Sequence, residues 1–155
     1  MGNLEEAARA HVVHQATLST AAILLLITQA AAKAEELGIA VNIAVCDAGG
    51  QARGFLSMQG AHVGATAIAS DKAWTSAGFG GVATRELAQR LGQIGDVVRA
   101  AIIARQRYAP LPGGMPIWIG SDLVGAIGVS GGTPEQDEAC ACAGYSIIGA
   151  ALTKA

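Results

Sequence analysis

The chain has 155 residues, which suits one domain built on a single apolar core. It is 52% hydrophobic and only 14% charged, with 4% aromatic residues and a formal net charge of −2. The few Lys and Arg residues are dispersed, so there is no basic field for nucleic acid. The apolar run Ala21 to Ile27 falls far short of the ~18–20 residues of a membrane span. The first residues also lack the basic region and cleavage site of a secretory signal, so a cytoplasmic protein without membrane partners is expected. Small apolar residues beyond the needs of one core point to burial between subunits, and hence to a homo-oligomer.

Residues 1–15 read as an N-terminal extension of a single domain covering residues 1–155. In it His11 and His14 stand three apart and would share a helix face, which makes His14 a candidate ligand for a metal or for a haem iron. The stretch TLSTAAILLLITQAAAKAEELG predicts a helix capped by Thr17 or Ser19 and stopped by Gly38. Ile23, Ile27, Ala30, Ala34 and Leu37 mark one face, while Leu24, Leu25 and Leu26 spread around the circumference, so cover on two sides is expected. Two β-rich runs follow in IAVNIAVCDAGGQARGFLSM, joined by the turn signal Asp47-Ala48-Gly49-Gly50.

A second helix is predicted over about Val63 to Phe79, then Gly80-Gly81, then a short helix capped by Thr84. IGDVVRAAIIARQRY fits a short helix or a strand. A loop with Pro110, Pro112, Gly113 and Gly114 leads into MPIWIG and LVGAIGVSG, a second hairpin whose apolar strands are expected to lie centrally in a covered sheet. In VSGGTPEQDE, Thr133 as N-cap, Pro134 at N1 and Gln136 at N3 make a capping box that starts the last helix. Strands in hairpins flanked by helices give an α+β fold with an antiparallel sheet.

The glycine turn at Gly131-Gly132 resembles an anion cradle at a helix N-terminus. Glu135, Asp137 and Glu138 place negative charge in the same turn, and no Walker lysine follows, so a nucleotide is not expected there. The PLPGGMPIW loop is the better ligand candidate. Gly113 and Gly114 allow close backbone approach, and Met115 and Trp118 offer an apolar wall. Arg53, on the strand after the first turn, suits a carboxylate. His62, beside Gly60, has the chemistry of an acid or base near neutrality, with Asp47 as a second candidate. Cys46, Cys140 and Cys142 read as reduced, mostly buried thiols: the last two, at i and i+2 on a helix, point apart and cannot share a metal.

The blocks VCDAGGQARGFLSMQGA, DKAWTSAGF and PGGMPIWIGSDLVGAIGVSGGTPEQDEACACAG resemble the GlcG/HbpS-like family, also found at the C-terminus of PduO, over roughly residues 17 to 153. That resemblance implies a profilin-like α+β fold with a five-stranded antiparallel sheet flanked by helices, assembly into higher oligomers, and haem as a ligand in some members. Other members stand beside pathways for glycolate, diols or aromatic breakdown products. Lys72 falls in the family's lysine-alanine-aromatic-threonine motif, which makes it a candidate for holding a ligand carboxylate. The sequence departs from the family where an RMDGA-like stretch is usual: it has Ser57-Met58-Gln59-Gly60-Ala61, so two charges are absent just before His62.

Two functions are compatible with these residues. One is an oligomeric domain binding haem or another small carboxylated molecule, with Lys72 and Arg53 for carboxylates and His14 or His62 for iron. The other is an enzyme on a small unsaturated carboxylic acid from a catabolic pathway, acting by hydration, isomerisation or hydrolytic dehalogenation through His62 and Asp47.

Overall fold

The computed structural model describes residues 2–152. In chain order the elements are α1 (Gly2–Arg9), α2 (Thr20–Glu36), β1 (Asn42–Asp47), β2 (Ala52–Ser57), α3 (Ala65–Gly78), α4 (Thr84–Leu91), α5 (Asp96–Ile103), β3 (Gly114–Ile119), β4 (Asp122–Ser130) and α6 (Pro134–Leu152). The strands form one antiparallel sheet in the order β2-β1-β4-β3. Among the described residues the sheet has four strands where the resemblance implied five. The segment left open between helix and strand is α5, begun by Gly95 in extended conformation and Asp96 in the first turn.

The caps of the two long helices form where the sequence places them. Ser19, not Thr17, caps α2, its hydroxyl accepting from the Ala22 amide at 3.2 Å, and Gly38 at φ +67° follows its end. At α6 the capping box is reciprocal: Thr133 Oγ1 accepts from the Gln136 amide, and Gln136 Oε1 accepts from the Thr133 amide. Two expectations need correction. Thr84 does not cap α4, because Ala83 holds the N-cap position. The buried Thr84 hydroxyl instead donates to the Leu111 carbonyl at 2.6 Å and accepts from the Gly114 amide at 2.8 Å. Of the second hairpin only β4 is central, since β3 is an edge strand. Pro116, which has no N–H to give a further strand, is at home there.

Helices cover both faces of the sheet, and the two faces differ. On one side α2 and α6 pack on Ile43, Val45, Ile127 and Val129, making a core with Leu26, Ala30, Ala34, Cys140 and Ala141. On the other, α3 alone packs on Ala44, Cys46 and Ala126 through Ala69, Ala73 and Ala77. Spacing of four residues lines those alanines on one helix face. Gly128 lets the helix come down onto the strand, because a Cβ there would drive into the backbone of Ala69 and Ala73. Among the described residues α2 is covered on one side: Leu24 and Leu25 stay exposed, as do Val97 and Val98 of α5.

Candidate ligand-binding site

Because α3 lies over β1, β4 and β3, the α3 side of β2 is left bare. A cleft of about 220 Å³ opens there. Its floor is Ala44 and Cys46 of β1 with Ala52 and Gly54 of β2, and Phe55, paired with Ala44 across the strands, stands exposed at its side. Thr66 and Ser70, four apart on α3, supply hydroxyls along the helix wall. Burial pushes the Cys46 thiol up to about 11, helped by the charge of Asp47 and opposed by a hydrogen bond with the Ala126 backbone, so the floor is neutral at physiological pH.

The one charged residue among those lining the cleft is Arg107. Its backbone adopts φ 66°, the left-handed region that non-glycine residues rarely enter. α3 holds it there. The Thr75 hydroxyl donates to the Arg107 carbonyl at 3.0 Å and accepts from the Ala109 amide at 2.9 Å, Asp71 Oδ1 accepts from Arg107 Nε at 3.0 Å, and the guanidinium lies 5.0 Å from the Trp74 ring centre. With Nε engaged by Asp71, the fork of N–H groups on the two terminal nitrogens remains for a carboxylate.

The residues singled out in the sequence are dispersed over the fold. Asp47 and Arg53 do come together, with Asp47 Oδ2 3.6 Å from Arg53 Nη1, on a separate cleft of about 400 Å³ shared with Gln15 and Thr17. There Asp47 also caps its own turn, its Oδ1 accepting from the amides of Gly49 and Gln51. His14 and Trp118 line a third cleft with Asp122, and the Trp118 indole N–H donates to the Gly81 carbonyl. His62 is exposed on the connection from β2 to α3, where its carbonyl accepts from Asn42 at the start of β1. Asp47 ends the same strand, so the two acid–base candidates stand roughly 17 Å apart by strand rise and do not meet on one substrate within a chain.

Lys72 faces inward. Its Nζ donates to Asp137 Oδ2 at 2.7 Å and to the Val129 carbonyl at 2.8 Å, with the two side chains only 3% and 5% exposed. Burial lowers its pKa, and the partner carboxylate counters part of that. The cation expected to meet a ligand carboxylate meets the chain's own. Asp137 is completed by the Gly132 amide, which donates to Oδ1 at 2.8 Å. Gly113, at φ +117°, makes room for the pair: a Cβ would lie 3.0 Å from Lys72 Nζ and 2.7 Å from the Val129 carbonyl. Gly113 and Gly114 are thus buried beside an internal ion pair, and Met115 packs against the main core. Among the described residues no cluster of His, Cys, Asp and Glu could hold a metal ion, and no helix is long and apolar enough to cross a membrane.

Sequence reasoning passed over Arg107, Phe55, Thr66 and Ser70. The outward side of β2 and the i, i+4 spacing of Thr66 and Ser70 were signals for three of them. Arg107 had none, because its conformation is imposed by side chains more than thirty residues away.

A family described as haem-degrading and HbpS-like matches residues 18–146. The chain is 31% identical over 122 residues to a 15.0 kDa protein of the dhaT–dhaS intergenic region of Citrobacter freundii, which covers 79% of this chain and 85% of that one. Protein ORFY of Klebsiella pneumoniae superposes with a TM-score of 0.82 at 28% identity, over 90% of this chain and 95% of the other. A PduOC–haem complex superposes with a TM-score of 0.77 at 26% identity, over 84% and 94%.

Proposed function

Since the chain belongs to the HbpS-like family, we propose that it is a small-ligand-binding domain whose ligand carries a carboxylate, either haem or another small carboxylated molecule. The observation that carries this reading is the Arg107 cleft, an apolar floor ending in one guanidinium whose terminal fork is available. The crystallised PduOC–haem complex supports haem as a member of the ligand class. Leu24, Leu25, Val97 and Val98, exposed on two helices, support the homo-oligomer, which we place in the cytoplasm. The lining favours binding over proton transfer: among the described residues it holds no Asp, Glu or His, and its thiol keeps its proton.

Haem asks for a flat apolar wall, cations for its propionates and an axial donor. The chain divides these between clefts, with the wall and cation at Arg107 and the imidazole of His14 beside the Trp118 indole. Neither cleft alone fits haem. A haemin titration followed at the Soret band tests the reading. Loss of the shift in Arg107→Ala assigns the propionates, and loss in His14→Ala assigns the iron ligand. If neither haemin nor any small carboxylate binds the wild-type chain, the proposal fails.

A further inference from the structure

Resting on the carboxylate-binding reading above, we infer that the ligand of the Arg107 cleft in a single chain is a compact monocarboxylic acid with an apolar body, and that Arg107 is its specificity-determining residue. Size is the first argument. At about 220 Å³ the cleft lies below the ~300–1,000 Å³ typical of sites for drug-sized ligands, so it suits a ring or short chain and not a macrocycle. Charge is the second. Asp71, 3.0 Å from Arg107 Nε, already balances the guanidinium, so the outer fork accepts one carboxylate and a second acid group would face the Asp71 charge.

Pre-organisation is the third. Residues held in sparsely populated backbone conformations cluster at ligand sites, where the surrounding structure over-determines them. Arg107 is such a residue, fixed by Thr75 at its carbonyl, Asp71 at Nε and Trp74 under its plane. A carboxylate arriving there meets a side chain already held in place, and the cost of ordering it is reduced. The apolar body then rests on Ala44 and Cys46 against the Phe55 ring.

The test uses the full chain with benzoate, benzyl alcohol as its neutral counterpart, and haemin, measured by calorimetry and ligand-observed NMR. Benzoate is expected to bind about tenfold or more tightly than benzyl alcohol, because only the carboxylate takes the charge-assisted pair. Arg107→Lys should lose most of that preference, keeping the charge but not the fork. Arg107→Gly should abolish it while relieving the left-handed backbone, so its melting temperature should stay at or above that of the wild type and a folding defect is kept apart from a binding one. Haemin binding that depends on Arg107 without any benzoate binding would overturn the size argument and leave the carboxylate reading standing. Binding of neither would overturn both, and benzoate binding unchanged in Arg107→Gly would overturn the site.

Discussion

The two faces of the sheet solve the same problem in opposite ways. Against α2 and α6 the sheet presents Ile43, Val45, Ile127 and Val129, large side chains that fill volume. Against α3 it presents Ala44, Cys46, Ala126 and Gly128, with only alanines coming down from the helix. The first face gains from apolar area, and one methylene more or less is a quantity. On the second the distance between helix and strand is set by backbone meeting backbone, and one methyl group is an obstruction. This close seating also forms the cleft: α3 sits tightly over its own strands, leaving β2 bare beside it.

The seam joining the two layers should show the largest effect. Asp137→Ala leaves the Lys72 ammonium buried without its carboxylate, and a loss of about 3–5 kcal/mol in denaturant unfolding is expected. Adding Lys72→Met to that variant should recover much of the loss. Next come neighbours on β4 that face opposite layers. Gly128→Ala, which adds one methyl on the α3 side, should cost about 3 kcal/mol or more, while Ile127→Val, which removes one methylene on the other, should cost about 1 kcal/mol. Equal costs for the pair would break the contrast between the faces.

A smaller effect compares the thiol on each face. Burial raises both Cys46 and Cys140 from 9.0 to about 11. The folded chain therefore holds thiol protons that the unfolded chain releases, and stability from these groups is full below pH 9 and lost as pH rises towards 11. Lys72, lowered by burial, acts in the opposite sense below 10.5, but it is common to wild type and variants. Cys46→Ala and Cys140→Ala should each flatten part of the alkaline fall in melting temperature. An unchanged slope in either would show that thiol to be in contact with solvent.

What could be read from the sequence was what neighbouring residues encode among themselves. Thr133, Pro134 and Gln136 complete the α6 cap within four positions, and Asp47 closes its turn within five, so both were legible. The order of strands in hairpins flanked by helices already gave the α+β antiparallel architecture, while the fifth strand implied by the family resemblance is absent among the described residues. The site was much less legible, because its determinants are distant in the chain. The acids after Gly132 suggest only repulsion of an incoming anion, whereas one of them, Asp137, turns inward to receive Lys72. Gly113 and Gly114 looked ready for a ligand, and what approaches them is Lys72 and Thr84. Arg107 was invisible because a left-handed arginine is imposed from outside and not favoured by its own neighbours.

The Lys72–Asp137 contact spans 65 positions of chain, and its two ends belong to helices on opposite sides of the sheet. It cannot close until β4 has been laid between them, and the Val129 carbonyl that also receives Lys72 faces it in only one register of that strand. The pair therefore works as a late latch that inspects strand alignment before it locks. Loss of Asp137 should accordingly speed unfolding while leaving the folding rate almost untouched in a stopped-flow chevron, and a slowed folding arm would instead place the latch in the nucleus.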